Sequence, residues 1–311
     1  MKFDYIKCHG SGNEFVMVDT LKYNSEGVDF AAFSRFICDR KGLVGADGVL
    51  LLVKQGGVFG MRMFNPDGSE AEMCGNGIRC VARLAEEYVG ARKFDMFSGG
   101  NIYHITREED IFPAMPTYGV DLGVRLASDD FGFAEGAAQF VSQRIERLDE
   151  RLLWTAINVG NPHIVAEVEE IDYDYLTRLG ERVLELHEEF PKGINVSLVK
   201  VLCENRIFVA TYERGAGITA SCGTAMTSSA TAMALNGRCD YETVIDVENR
   251  GGAVRCICHK ESGLHTQLIG NASYISYGEV EADDKGFVSR EIGKYYDEIA
   301  LYDNFLRAKT E

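Results

Sequence analysis

Positive charge is scarce in this chain. Its 311 residues carry 32 Lys and Arg against 48 Asp and Glu, a net charge of −16. A general nucleic-acid binder needs a basic footprint, so that class is excluded. No apolar run approaches the length of a membrane span. Residues 1–18 lack the basic segment and apolar core of an export signal, so a cytoplasmic protein is expected. Low-complexity stretches are missing, and the composition is that of an ordinary globular protein. The nine cysteines are odd in number and follow no framework spacing, which reads as reduced thiols rather than a disulfide scaffold. Cys256, Cys258 and His259 lack the second cluster that a tetrahedral metal site needs. Alternation along a strand accounts for them, and no metal is expected. The segment from His9 to Asn13 holds two glycines of a dinucleotide fingerprint but neither the third nor a following helix, which argues against a Rossmann unit.

What the chain does have is a pattern written twice. Phe64 is followed by a polar, Gly-containing turn and then Cys74-Gly75; Tyr212 is followed by another such turn and then Cys222-Gly223. The aromatic residue precedes the cysteine by ten positions in both (74 − 64 and 222 − 212). Each Cys-Gly opens a helical run. Ile78, Val81, Ala82, Leu84 and Ala85 recur at helical intervals after the first, and an Ala-, Ser- and Met-rich run to Leu235 follows the second, stopped by Asn236-Gly237. A helix start presents unpaired N–H groups and the positive end of the dipole. The expectation is therefore a lowered thiol pKa at Cys74 and Cys222, beside a ready site for a carboxylate.

The length favours two domains, and one Cys-Gly in each half favours two similar ones. Strands are predicted at 3–7, 16–18, 49–53, 58–64, 94–97, 101–106, 152–159, 164–168, 196–201, 206–212, 253–259 and 265–269, the last two joined through Ser262-Gly263. Helices are predicted at 31–40 and 175–186 besides the two after the cysteines. A boundary is expected at 113–117 and a polar surface excursion at 128–151. Each half thus reads as short strands around one long helix, an α+β layout.

These pieces, in order, resemble diaminopimelate epimerase. The resemblance rests on His9-Gly10-Ser11-Gly12-Asn13-Glu14-Phe15, Gly45-Ala46-Asp47-Gly48, Asn65-Pro66-Asp67-Gly68-Ser69-Glu70, Met73-Cys74-Gly75-Asn76-Gly77-Ile78-Arg79, Gly160-Asn161-Pro162-His163, Asn195-Val196, Glu213-Arg214-Gly215-Ala216-Gly217 and Cys222-Gly223-Thr224. It covers about residues 3–280. It implies two pseudo-symmetric half-domains, each a curved, mostly antiparallel sheet around a central helix, with the active site in the cleft between them. Residues 1–117 would form the first half, joined by a returning strand at about 268–280, and 118–267 the second. Residues 281–311 lie outside the resemblance. Ile292, Tyr295, Ile299, Tyr302 and Phe305 fall on one face of a helix there, so a helical extension packed on its own domain is expected.

The resemblance also implies a cofactor-independent epimerase interconverting L,L- and meso-diaminopimelate, commonly a homodimer. Epimerisation takes a proton from one face of an α-carbon and delivers one to the other, which suits a thiolate base and a thiol acid on opposite sides. Cys74 and Cys222 would be that pair. Carbanion charge would be held by the backbone N–H groups of Gly75, Asn76, Gly223 and Thr224. The resemblance assigns Asn13, Asn65, Asn161 and Asn195 to substrate hydrogen bonding and His163 to support. Glu213 and Arg214 would take the distal ammonium and carboxylate, a second amino-acid head group. The two thiols are expected to join on oxidation. Cys8, Cys38, Cys80, Cys203 and Cys239 read as inert packing residues.

The chain departs from the family pattern at Ala225-Met226-Thr227 (commonly Gly-Ala-Cys), Ile218 (commonly Glu), Gly48 (commonly Gln) and Cys8 (commonly Met). Two other classes remain open. A racemase of another amino acid, such as histidine, fits the same two-thiol scaffold but not the Glu213-Arg214 pair. The other is a non-catalytic binding protein or a non-racemising relative, like the phenazine-biosynthesis isomerases, which share the fold but lack the two cysteines.

Overall fold

A tight hairpin at Ser11-Gly12 starts the fold. Both residues have positive φ, 54° and 79°, and the flanking strands Lys2–Gly10 and Asn13–Asp19 pair from Gly10 opposite Asn13. Two left-handed residues match the right-handed strand twist. The computed structural model describes residues 1–126, 131–132, 139–261, 263–283 and 286–310. They divide into two compact units, Met1–Val120 with Ile269–Glu311, and Asp121–Leu268. Its helices are α1 (Phe30–Ile37), α2 (Gly75–Val89), α3 (Tyr173–Glu185), α4 (Gly223–Leu235) and α5 (Tyr296–Thr310).

The two units follow one plan. In the first, the hairpin strand Asn13–Asp19 is followed by α1 and a parallel neighbour, Val49–Gln55. That strand turns back antiparallel into Val58–Phe64. A short return strand, Glu70–Ala71, leads to the cysteine that opens α2, and Lys93–Ser98 then pairs parallel with Val58–Phe64. In the second, Asp149–Asn158 and Pro162–Glu167 are antiparallel, α3 crosses over, and Asn195–Cys203 lies parallel to Pro162–Glu167. Arg206–Glu213 returns antiparallel, Gly217–Thr219 repeats the short strand, α4 follows Cys222, and Val244–Asn249 pairs parallel with Arg206–Glu213. Parallel neighbours need a crossover, and α1, α2, α3 and α4 supply it.

Each central helix is buried for its own reason. α2 hides its first half and its Ile78, Val81, Leu84 face, and stops at left-handed Gly90, whose N–H bonds the Glu86 carbonyl at 2.8 Å. Its later turns reach two separate strands, through Tyr118 Oη donating to Glu86 and Tyr88 Oη to Asp19. α4 has almost no polar face: Ala, Ser, Thr and Met are buried all round it. Thr227 and Thr231 turn their hydroxyls back onto carbonyls four residues earlier, at 2.8 Å each.

Two expectations change. The extension is not helical over 281–311. Strand Ser273–Asp283 runs on past the expected return strand, Gly286–Lys294 folds back on it, and only then does α5 begin. Ile292 therefore lies on a strand and Tyr295 just before the helix, whereas Tyr302 and Phe305 are buried within the first unit. Of the stretch 128–151, residues 127–130 and 133–138 lie outside the described residues. The remainder is not a surface excursion: Phe140, Ile145 and Leu148 join the core of the second unit, and Gln143–Ile145 pairs with Asp149–Asn158. Ser262, expected in a hairpin turn, also lies outside the described residues.

Candidate active site

Each unit presents a cysteine as the N-cap of its central helix, in extended conformation (φ −144° at Cys74, −130° at Cys222). Extended backbone at the cap turns the side chain back over the first-turn N–H groups.

At the first helix start, Cys74 Sγ accepts from the Gly77 N–H at 3.4 Å. Asn76 Nδ2 donates to Asn13 Oδ1 at 3.3 Å, and Asn13 Nδ2 donates to Asp47 at 3.0 Å. Asp47 is held in turn by Arg40 and by the Glu14 N–H. Asn65 lies in the adjoining turn, its amide on Ser69 Oγ at 2.9 Å. Beneath the helix start lies a fully buried cation to which the sequence reading gave no role. Arg79 donates to the Gly75 carbonyl and Asn76 Oδ1 at 3.0 Å each and to Ser11 Oγ at 3.1 Å. It was visible only as part of the Cys-Gly-Asn-Gly segment, and its meaning needs Ser11 and Asn271, far away in the chain.

At the second helix start, Cys222 Sγ lies 3.3 Å from Thr224 Oγ1, which lies 3.0 Å from His163 Nε2. Asn195 Nδ2 approaches the same ring nitrogen at 3.4 Å, while its Oδ1 accepts from the Arg214 N–H at 2.8 Å. That second bond fixes the Asn195 amide orientation, so Nε2 is an acceptor and the ring proton is assigned to Nδ1. Nδ1 is buried with no partner among the described residues. The Thr224 hydroxyl lies between the His163 ring nitrogen and the Cys222 sulfur, and can donate its proton to either. Glu213 and Arg214 follow one another at the end of strand Arg206–Glu213, with Glu213 bonded to the Thr219 hydroxyl and Arg214 to the Lys192 carbonyl. Asn161 sits beside left-handed Gly160 in the turn before His163.

The thiols are not acidified as the helix-start argument predicted. Burial pushes Cys74 up to about 11, against the Gly77 and Asn76 N–H groups and Arg79, which pull down. Burial also pushes Cys222 well above the usual range; the neighbouring Glu213 carboxylate adds to it, and Thr224 and the Ala225 N–H oppose. Loss of hydration outweighs the helix terminus at both, although each cysteine keeps some exposed surface. Burial takes His163 down to about 3, with Arg214 a smaller contribution, so the imidazole is neutral. Cys80, on α2, faces the first helix start, whereas Cys256 and Cys258 are buried on one face of strand Gly252–His259. A groove of about 640 Å³ between Arg151, Glu167 and Arg238 contains neither helix start.

The fold is one already seen in solved structures. It superposes on a PhzF-family phenazine biosynthesis protein from Bacillus anthracis with a TM-score of 0.65 at 16% identity, covering 90% of this chain and 99% of that one. It superposes on a probable proline racemase from Agrobacterium radiobacter with a TM-score of 0.60 at 13% identity, covering 90% and 93%. Sequence narrows the class. The diaminopimelate epimerase family model matches residues 5–110 and 155–275. A diaminopimelate epimerase of Clostridium acetobutylicum is 34% identical over 92% of this chain and 87% of its own. One of Listeria welshimeri is 36% identical over 90% and 89%. The chain belongs to the diaminopimelate epimerase family, a family of isomerases. No described helix is long and apolar enough to cross a membrane.

Proposed function

We propose that the protein interconverts L,L- and meso-diaminopimelate without a cofactor, with Cys74 and Cys222 as the two bases. The observation that carries this reading is the repetition: each unit of a diaminopimelate epimerase family member caps its central helix with a cysteine. One sulfur, as thiolate, takes the α-proton; the other, as thiol, returns a proton to the opposite face, and the roles exchange in the reverse direction. A carbon acid far weaker than a thiol needs its developing charge held. The first-turn N–H groups, Gly75 and Asn76 at one helix start and Gly223 and Thr224 at the other, are donors for the α-carboxylate as that charge builds. Asn13, Asn65, Asn161 and Asn195 supply further hydrogen bonds. Glu213 and Arg214 take the distal ammonium and carboxylate, which selects a substrate with two amino-acid head groups. His163, neutral, supports Thr224 rather than moving the substrate proton. The reading further places the enzyme in the cytoplasm, as a homodimer, in lysine synthesis.

The test is exchange in deuterated water. Reduced protein incubated with L,L-diaminopimelate is expected to replace the α-proton and yield the meso form. Cys74→Ala and Cys222→Ala are each expected to lose epimerisation by at least about 100-fold. Exchange with histidine but not diaminopimelate would favour the alternative racemase. Full turnover in both cysteine variants would end the two-thiol reading.

A further inference from the structure

The two helix starts share a Cys-Gly opening and then diverge, most sharply in charge. Five residues after Cys74 stands Arg79, and five after Cys222 stands Thr227. Both side chains bond the carbonyl of the first helical glycine: Arg79 Nη1 to Gly75 at 3.0 Å, Thr227 Oγ1 to Gly223 at 2.8 Å. One unit thus places a permanent charge where the other places a neutral hydroxyl. The surrounding backbone is shaped for that guanidinium. A Cβ on Gly10 would lie 2.8 Å from the Asn76 carbonyl and 3.0 Å from Arg79, and one on Gly270 would lie 2.8 Å from Arg79.

The sulfurs differ in the same sense. Cys74 Sγ accepts a hydrogen bond from the Gly77 N–H, as a thiolate would. Cys222 Sγ makes no such cap bond and lies beside the Glu213 carboxylate, to which a thiol can donate. We infer that Arg79 is a positioning residue that holds Asn76 and the α2 start and makes Cys74 the sulfur of the pair that ionises first, leaving Cys222 as the thiol. The titratable groups facing this region are His9 and Glu14 from the first hairpin, Cys80 on α2, and Glu298 and Tyr302 from α5. At Cys222 the facing carboxylate is Glu213, whose charge opposes a thiolate there.

The inference rests on the two-thiol reading, and its test needs no substrate. Reduced full-length protein is alkylated with iodoacetamide across the neutral and alkaline range, and the adduct on each cysteine is counted by peptide mass spectrometry. In the wild type the pH midpoint for Cys74 is expected to lie below that for Cys222. Arg79→Met is expected to raise the Cys74 midpoint by about one pH unit, about a tenfold loss of thiolate below it, with the Cys222 midpoint unchanged. Arg79→Lys, which keeps the charge, is expected to retain most of the gap. Equal or reversed midpoints in the wild type would overturn the inference, as would an unmoved Cys74 midpoint in Arg79→Met with a native circular dichroism spectrum. Should Arg79→Met fail to fold, the wild-type order and Arg79→Lys still decide. Correct midpoints without turnover of diaminopimelate would keep the role of Arg79 and remove the substrate reading.

Discussion

His9 and His163 are packed where an imidazolium would be cut off from water. Burial lowers them to about 4 and about 3 respectively. The unfolded chain takes up their protons near pH 6.5, the folded chain only well below that. Between those limits the unfolded state binds more protons, so stability falls as pH falls and is whole above about pH 6.5. At pH 5 the loss is expected to be about 2 kcal/mol for each ring. Urea midpoints at pH 5 and pH 7 check it, with His163→Gln expected to remove about half the difference. Equal midpoints would contradict it. At this scale most of the candidate residues were legible, because Cys74, Cys222, Glu213 and Arg214 stand in distinctive segments. The thiol pKa direction was not: a helix start is a local fact, whereas burial is contributed by residues distant in sequence. Arg79 failed to stand out for the same reason.

Among the elements, α3 shows a glycine used against its usual disadvantage. Gly180 is interior to the helix, where Ala is ordinarily better by about 1 kcal/mol. Here a Cβ would fall within the Tyr212 ring. Gly180→Ala is expected to destabilise by about 1–3 kcal/mol and, by displacing the residue beside Glu213, to raise KM more than it lowers kcat. Thermal melts and steady-state kinetics check both. Hairpins and helix starts were readable because glycine turns and apolar spacing declare them. Strand Gly286–Lys294 was not. Ile292, Tyr295 and Ile299 satisfy a helical spacing, but pairing with Ser273–Asp283 overrides it up to Lys294.

For the whole molecule, α5 belongs to the first helix start as much as to the terminus. Arg83 of α2 grips Glu298 through two bonds, 2.7 and 2.9 Å, and lies 3.6 Å over the Tyr274 ring. Tyr302 meets the His9 ring edge-on at 4.3 Å. Tyr302→Ala is expected to cost about 3–5 kcal/mol, measured by urea unfolding. If one α-carbon is served by both thiols, mild oxidant is expected to remove activity and reductant to restore it, with a Cys74–Cys222 linked peptide seen by mass spectrometry. Irreversible loss would refute the disulfide. The duplicated plan was legible in the paired Cys-Gly segments, and so was a terminal helix packed through Tyr302 and Phe305; its grip on Arg83 was not, since that contact joins residues some two hundred apart.

Strand Lys2–Gly10 has one neighbour close in sequence, Asn13–Asp19, and the other at Ser273–Asp283. On the ribosome, the first strand made must therefore wait for one of the last. The unit Asp121–Leu268 is continuous and can close its core during synthesis, while the unit that holds Cys74 waits for strand Ser273–Asp283. The half of the enzyme translated first is the half completed last, and its unpaired strand edge is the surface that the cell's chaperones have to guard in the interval.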